Sequence, residues 1–254
     1  MFAYIMPNAD MRRYGRSQYR IETDFIYNRR PVYRIDVLWG RLSGEQTANL
    51  LSRFRGRLLF PEGYDKLNNT AFDRRGYEAY LDKVFSESVL RLLTFPARKE
   101  SKICLVDSSG RFIILASRLA FISDRFCILT EPERIGYYSD FSEELLRSEK
   151  IAVPVFTDEK RIGNCDIAID CGGGKLPKSK VYLCRKITHG YRNAVVPASA
   201  LPDNVLCPSG YHPMTFSYAL HAYCDDAIRP AKEYYCSGRK YTVSDIINKL
   251  YITI

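Results

Sequence analysis

Residues 102–119 read KICLVDSSGRFIILASRL, and this stretch decides the predicted fold. A short apolar run ends at Asp107-Ser108-Ser109-Gly110, and a second apolar stretch with a different period follows. That order predicts a buried strand at 103–106, a tight polar turn and a helix at 111–121. The turn either binds a nucleotide, as strand–glycine turn–helix units often do, or only has that shape.

The same alternation of apolar runs and helical segments continues after the turn. Further strands are predicted at 125–130, 151–156, 166–170, 181–184 and 193–196, with a short helix at 141–148. These strands are continuous apolar runs, which is typical of a parallel sheet covered on both faces. The predicted fold class is therefore α/β, with a doubly wound, mostly parallel sheet. A smaller α/β domain precedes it, so that the predicted domains are 1–97 and 98–254, the second with a C-terminal extension.

Local patterns define the remaining elements. From Arg74 to Leu93 the apolar residues recur mostly at spacings of three and four, which predicts a long helix with Asp73 as its N-cap and Pro96 behind it. The other predicted elements are a strand at 32–38, a capping box at Ser43-Gly-Glu-Gln46, a short strand at 57–60 and a helix at 213–224. A last helix is predicted to be capped by Thr242-Val-Ser-Asp245 and to end near Tyr251.

Composition limits the class of protein. The chain has 254 residues, of which 46% are hydrophobic and 26% charged, as in ordinary globular proteins. No apolar run approaches the roughly 18 residues that cross a bilayer, and the first residues lack the basic-then-apolar order of a signal peptide. Eight cysteines occur without any Cys-x-x-Cys pair. We therefore expect a cytoplasmic protein with reduced thiols.

Residues 102–174 resemble a Rossmann-type NAD(P)-binding domain. The resemblance rests on the element order, on the turn after Val106, on Glu131 at the end of the second strand and on Cys171-Gly-Gly-Gly174 after the fourth. The layout is most similar to shikimate-dehydrogenase-like enzymes, in which a smaller α/β substrate domain comes first. The resemblance implies a Rossmann-like fold and NAD or NADP as the class of cofactor. It assigns no catalytic residue, because the family pattern around the catalytic lysine is not recognisable at Lys66-Leu-Asn-Asn69.

The glycine motif of such domains, G-x-G-x-x-G/A, is degenerate in this sequence. Aligned after Val106, its three glycine positions fall on Asp107, Ser109 and Phe112, and Gly110 lies between them. Asp107 would place a negative charge beside a pyrophosphate, Ser109 adds bulk at the backbone contact, and Phe112 pushes the helix from the strand. These departures predict a turn that does not bind a dinucleotide in the usual way and in which Ser108 or Ser109 caps the helix.

Two features favour a cofactor site at the same edge of the sheet. Glu131 lies 21 residues after Gly110, where an acid binds the ribose hydroxyls of NAD. The glycine run after Cys171 permits a close backbone approach. A small-molecule ligand is expected in a cleft between the two domains. The predicted cofactor-binding residues are Asp107, Ser108, Ser109, Gly110, Glu131, Cys171, Gly172, Gly173 and Gly174.

Two groups of side chains suggest other chemistry. Cys207, His212, His221 and Cys224 are of the types that ligate zinc, but their spacing matches no standard finger, and no metal site is predicted. Cys171 is a candidate nucleophile because Lys175 and nearby backbone N–H groups could lower its pKa, and a strand-end cysteine facing the core is the alternative.

The positive charge is concentrated near the N-terminus. Residues 1–60 contain eleven arginines, no lysine and five acidic residues, so they hold +6 of the net charge of +9. The segment 11–20 mixes arginine with tyrosine, a composition that suits phosphates and stacked bases. No RNA-recognition, KH or helix-turn-helix pattern accompanies it, so a solvated basic face is the alternative.

The sequence leaves three functions open. The first is a Rossmann-like protein that has lost standard dinucleotide binding and binds a small ligand or acts as an accessory protein. The second is an NAD(P)-dependent oxidoreductase with an atypical phosphate loop. The third is binding of nucleic acid or another polyanion through the basic N-terminal face.

Overall fold

The computed structural model describes residues 1–8, 19–38, 42–62, 74–94, 99–172, 174–186, 191 and 193–253. Several predicted features lie outside these residues. They are the N-cap Asp73, Pro96, the segment Lys66–Asn69, most of the arginine–tyrosine segment and the predicted site residue Gly173.

The strands and helices follow one another along the whole chain. The strands are β1 (Phe2–Asn8), β2 (Tyr19–Tyr27), β3 (Arg30–Leu38), β4 (Leu58–Leu59), β5 (Lys102–Val106), β6 (Arg125–Leu129), β7 (Val155–Phe156), β8 (Cys165–Asp170), β9 (Ser179–Cys184), β10 (Ala194–Ser199), β11 (Glu233–Cys236) and β12 (Arg239–Thr242). The α-helices are α1 (Gly44–Arg53), α2 (Arg74–Leu93), α3 (Ile113–Ile122), α4 (Ile135–Glu149), α5 (Glu159–Ile162), α6 (Pro213–Cys224) and α7 (Val243–Thr253).

The chain divides into two compact units. The first comprises Met1–Tyr80 and Leu201–Ile228, and the second comprises Leu81–Ala200 and Arg229–Ile254. The predicted domain ranges, 1–97 and 98–254, have a different boundary, because the units divide within α2. They also differ because Leu201–Ile228, which contains α6, belongs to the first unit. Which segments fold as independent domains stays a prediction.

The first unit is built on a four-stranded sheet in the order β2-β3-β1-β4. β1 runs parallel to β3 and β4, whereas β2 is antiparallel to β3. Because side chains alternate along a strand, one face of the sheet packs Ile5 and Ile35 against Leu50 of α1, and the other packs Phe2 against Phe216 of α6. The capping box predicted at the start of α1 is confirmed by the reciprocal bonds of Ser43 and Gln46.

The second unit contains an eight-stranded sheet in the order β7-β6-β5-β8-β9-β10-β11-β12. The six strands from β7 to β10 are parallel, and β11 and β12 add an antiparallel edge. Counted from β5, the parallel strands follow the order 3-2-1-4-5-6, which is that of the Rossmann fold. The predicted fold class, a Rossmann-like mostly parallel sheet preceded by smaller α/β structure, is confirmed.

The two faces of the second sheet are covered unequally. Ile103 and Leu105 of β5 face the larger core, to which α2, α3, α4 and α7 contribute apolar side chains. Their neighbours Cys104 and Val106 face the other way, into a smaller cluster that contains Ile162 of α5. The connections from β8 to β9 and from β9 to β10 contain no helix among the residues that the structure describes.

Some elements differ from their predictions. The strand expected at 151–156 is reduced to β7, because Pro154 has no N–H group for a ladder. The helix expected at 141–148 begins at Ile135, since Tyr138 extends the apolar spacing of Phe141 and Leu145. β1, β2 and the hairpin of β11 and β12 were not predicted. None of the described helices combines the length and the apolar character that crossing a bilayer requires.

Candidate functional site

A cleft lies at the carboxyl edge of the parallel sheet, where β5, β6, β7 and β8 end. Its volume is about 190 Å³. All of its lining residues belong to the second unit, so the interdomain position of the ligand site stays a prediction. The lining residues are Val106, Ser108, Leu129, Thr130, Glu131, Pro132, Thr157, Glu159, Gly174 and Lys175.

The cleft brings together three of the predicted cofactor-binding residues, which are Ser108, Glu131 and Gly174. The Ser108 hydroxyl donates a hydrogen bond of 3.1 Å to the carbonyl oxygen of Gly172, so the turn after β5 is joined to the loop after β8. Gly172 and Gly174 have φ angles of 109° and 99°. Both values lie in the region that favours glycine, which explains why this loop is glycine-rich.

Asp107 does not face the cleft. Its residue exposure is 0%, and its carboxylate accepts hydrogen bonds from the backbone N–H groups of Ser109 (2.8 Å) and Phe112 (3.0 Å). The hydroxyls of Ser109 (2.6 Å) and Tyr138 (2.5 Å) donate to the same carboxylate. Burial and the bond to Asp107 raise the pKa of Tyr138. The Tyr138 hydroxyl is therefore a fixed donor over the whole physiological pH range.

The Asp107 carboxylate accepts two backbone N–H groups of the turn that leads into α3. Backbone N–H groups at the start of the helix after the first strand are the usual donors to a pyrophosphate. Here Ser109 and Phe112 donate theirs to Asp107. The predicted serine cap is wrong, because the N-cap of α3 is Phe112 and no side chain bonds there as a cap. Asp107 closes the turn instead, because its carboxylate accepts the N–H of Phe112 at the start of the helix.

The outer side of the turn is covered by an aromatic ring. Gly110 has a φ of 76°, and a Cβ built on it would lie 3.5 Å from the ring of Tyr137. Tyr137 belongs to the first turn of α4. Phe112 is buried and packs edge-on against Phe85, with ring centroids 6.1 Å apart. Gly110 therefore does not offer the open backbone surface that the second glycine of a dinucleotide motif provides.

Cys171 lies in the core rather than in the cleft. It is fully buried and belongs to the larger apolar cluster. Burial raises the pKa of the Cys171 thiol well above its usual range, and the carboxylates of Asp107, Asp170 and Asp82 act in the same direction. A nucleophilic cysteine needs the opposite environment, because the thiolate is the reactive form. The surroundings of Cys171 thus match the alternative of a strand-end cysteine in the core.

A buried ion pair at the same sheet edge was not predicted. The guanidinium of Arg185, which follows β9, pairs with Asp82 of α2 at 2.5 Å, and Arg111 pairs with the other carboxylate oxygen at 2.8 Å. The Arg185 side chain is only 6% exposed, whereas that of Arg111 is 51% exposed. No local pattern indicates this pair, because the two residues are far apart in the sequence and each has an ordinary helical or strand-end context.

Asp170, at the end of β8, is nearly buried and accepts a hydrogen bond of 2.9 Å from the Gly172 N–H. Burial raises its pKa, and the Gly172 bond opposes that shift. The folded state therefore binds this proton more tightly than the unfolded state does. Asp170 makes its full contribution to the free energy of unfolding below its unfolded pKa of about 3.8. This contribution is lost as the pH rises through the higher pKa of the folded state.

We expect Asp170→Asn to raise the free energy of unfolding at pH 7 by up to about 1 kcal/mol, because it removes a desolvated charge and keeps an acceptor for Gly172. The gain should disappear near pH 3, where wild-type Asp170 is protonated. Urea denaturation of both proteins at pH 3, 5 and 7 measures it. A gain that is equal at the three pH values would contradict the assignment to the carboxylate charge.

Three of the four residues considered as zinc ligands have side-chain contacts elsewhere, and the fourth is buried. The His212 Nδ1 caps α6 by accepting from the Met214 N–H at 3.2 Å, and the His221 Nδ1 lies 2.6 Å from the Asp226 carbonyl oxygen. The Cys207 thiol contacts the Tyr211 carbonyl oxygen, and Cys224 is buried. Within the described ranges, no group of three or more His, Cys, Asp or Glu residues could hold a metal ion.

Several arginines of the N-terminal region have acidic partners. Arg20 pairs with Glu22, Arg30 with Asp225, and Arg34 with Asp36 at 2.8 Å. Arg12, Arg13, Arg16 and Arg41 lie outside the described residues. Binding of a polyanion by this region stays a prediction.

Sequence reasoning missed Thr130, Thr157, Glu159 and Lys175, which line the cleft. Three of them follow the ends of β6, β7 and β8, so a search of every strand end would have found them. Lys175 was considered only as a neighbour of Cys171. The structure instead places Lys175 at the cleft and Cys171 in the core.

No protein-family model and no curated protein matches the sequence. Among solved structures, the crystal structure of L-tryptophan dehydrogenase from Nostoc punctiforme aligns with 60% of this chain at 10% sequence identity and a TM-score of 0.31. The alignment covers 48% of that protein, so the chain spans about half of its length. The Rossmann-type fold of the second unit is defined by its own strand order. The more specific layout of shikimate-dehydrogenase-like enzymes stays a prediction.

Proposed function

We propose that this chain is a Rossmann-like protein that binds a small ligand at the carboxyl-edge cleft and has lost the pyrophosphate site of dinucleotide-binding domains. One observation carries the proposal. The Asp107 carboxylate accepts the N–H groups of Ser109 and Phe112, which a pyrophosphate would need. At this turn both N–H groups are already bonded to Asp107, and a phosphate would also lie beside a buried negative charge.

The cleft itself supports a ligand smaller than a dinucleotide. Its volume of about 190 Å³ is below the roughly 300–1,000 Å³ of pockets that enclose drug-sized ligands. Val106, Leu129 and Pro132 supply apolar walls, while Glu131 and Lys175 supply charges of opposite sign. Apolar walls with a few polar groups suit a compact molecule that carries a ring or short chain and polar substituents.

A thermal-shift titration of the full chain with NAD, NADH, NADP and NADPH tests the loss of dinucleotide binding, because a ligand that binds only the folded state raises the melting temperature. We expect no saturable shift at millimolar cofactor. A set of small metabolites is then titrated in the same way. A hit at the cleft should weaken in Glu131→Gln and Lys175→Ala and stay unchanged in Lys178→Ala, since Lys178 is exposed and does not line the cleft.

The second candidate is an NAD(P)-dependent oxidoreductase with an atypical phosphate loop and the two-domain layout of shikimate-dehydrogenase-like enzymes. The position of Glu131 favours it, because this acid lines the cleft directly after β6, where it could bind ribose hydroxyls. A saturable shift with one of the four cofactors that is lost in Glu131→Gln would support this candidate. It would overturn the proposal above.

A further inference from the structure

Helix α3 carries apolar side chains on its buried side and on its exposed side. Eight of its ten residues are apolar. Leu115 and Leu119 are buried in the larger core, whereas Ile114 and Phe121 are 72% and 56% exposed. A helix that is apolar all round is normally covered on all sides. The side of α3 that contains Ile114 and Phe121, here called the outer face of α3, is therefore an apolar surface without a cover.

Exposure of large apolar side chains is uneven in the second unit. Within the described residues of this unit, those that are exposed all belong to α3 and α4. On α4 they are Ile135, Tyr137 and Leu146. Ile135 and Leu146 lie on one side of α4, because they are about three turns apart, whereas Tyr137 points to another side. Concentrated apolar exposure of this kind marks a surface that binds another molecule.

The arginines near the outer face of α3 are directed away from it. Arg118 lies between the two exposed apolar residues along the helix, and its guanidinium pairs with Glu87 of α2 at 3.2 Å. Arg111, just before α3, pairs with Asp82 of α2 at 2.8 Å. Both positive charges thus have an acidic neighbour on the side of α2. The surface therefore favours an apolar partner over a strongly acidic one.

We propose that the outer face of α3 is a dimer interface, on which α3 of a second copy of this chain packs antiparallel about a twofold axis. A twofold interface requires a surface that is complementary to itself. In an antiparallel pair centred between Ser117 and Arg118, Ile114 lies level with Phe121 of the second copy, and Phe121 lies level with its Ile114. Each copy covers the apolar side chains that the other exposes.

The same register brings opposite charges together at both ends of the helix pair. Arg111 precedes α3, Asp124 follows it, and both are exposed. They are equally far from the centre of the pair, so Arg111 of one copy lies level with Asp124 of the other. Asp124 makes no ion pair within the part of the chain that the structure describes, so its carboxylate is available. This inference does not depend on which ligand the cleft binds.

Sedimentation velocity of the full chain between about 1 and 100 μM tests the proposal, because a ten-residue helix forms a small interface with an expected dissociation constant in the micromolar range. The mass should rise from 29.3 kDa towards twice this value. Phe121→Glu should raise the dissociation constant at least about tenfold, since its carboxylate would lose water against an apolar partner. Leu146→Glu is the matched control, because Leu146 is 49% exposed on another helix, and it should associate as the wild type does.

Two cysteine variants test the antiparallel register. A mixture of Ile114→Cys and Phe121→Cys, oxidised by dissolved oxygen with copper phenanthroline, should form a disulfide-linked dimer at least about tenfold faster than either variant alone. In either variant alone the two new thiols are about 10 Å apart along the helix axis, which is too far for a disulfide. The wild type is the control, since seven of its eight cysteines are buried and Cys207 is half-buried.

Three outcomes would overturn the proposal. A mass that stays at 29.3 kDa at the highest concentration would leave the outer face of α3 to a different protein. A dimer that Phe121→Glu does not weaken, or that Leu146→Glu weakens as much, would have its interface elsewhere. Cross-linking that is as fast in Ile114→Cys alone as in the mixture would contradict the antiparallel register. Far-UV circular dichroism checks the fold of the Glu variants, and the cysteine variants test the same interface without an added charge.

Discussion

Replacing Asp107 with alanine is expected to lower the free energy of unfolding of the second unit by about 3 kcal/mol or more. The carboxylate accepts four hydrogen bonds, and two of the donors, the N–H of Phe112 and the hydroxyl of Tyr138, are buried as Asp107 is. Alanine leaves the hydroxyl of Tyr138 and the N–H of Phe112 without this acceptor. An unsatisfied buried polar group costs about 1–3 kcal/mol. Urea denaturation, followed by far-UV circular dichroism, measures the change.

Two variants separate the hydrogen bonds from the loss of the side chain. Tyr138→Phe removes one donor and keeps the ring, so it should cost about 1 kcal/mol. Asp107→Asn keeps the size and one acceptor oxygen, so its cost should lie between those of Tyr138→Phe and Asp107→Ala. If Asp107→Ala costs no more than Tyr138→Phe, the carboxylate does not organise the turn, and the observation behind the proposed function fails.

The elements of the second sheet could be predicted because their signals are local. The strands 103–106, 125–130 and 166–170 are short apolar runs bounded by polar turns, and β5, β6 and β8 match them within one residue. The same holds for the capping boxes, whose partners are three residues apart. β1 was missed because a single apolar stretch at a terminus has no turn before it that bounds a strand. Its pairing with β3 depends on residues about 30 positions later.

Residues of the candidate site could be predicted only when they directly follow the end of a strand. Glu131 and Gly174 follow strand ends, and parallel strand ends meet at one edge, so the cleft could be expected to contain both. The orientation of Asp107 could not be predicted, since one of its donors, Tyr138, comes 31 residues later on another helix. From the sequence, Asp107 is a charge that repels a phosphate. In the structure its carboxylate also accepts the backbone N–H groups of Ser109 and Phe112, just before α3.

Replacing Asp82 with alanine is the second change with a large expected effect. It leaves the guanidinium of Arg185 buried, 6% exposed, without the carboxylate that it contacts at 2.5 Å. Removing one partner of a buried ion pair costs about 3–5 kcal/mol, because the remaining charge loses an attraction that offset its desolvation. Arg111→Ala removes an exposed partner of the same carboxylate, so it should cost less than about 1 kcal/mol. Urea denaturation of the two variants compares these values.

The double replacement Asp82→Leu with Arg185→Met determines whether the cost comes from the uncompensated charge. Apolar residues of similar volume often replace a buried ion pair without loss of stability, so the double variant should recover most of the stability that Asp82→Ala loses. Salt gives an independent check, because a buried pair is screened much less than an exposed one. The cost of Asp82→Ala should therefore change little between low and high salt, while that of Arg111→Ala should shrink. If the double variant is as unstable as Asp82→Ala, the shape of the two side chains and not their charge holds α2 to the end of β9.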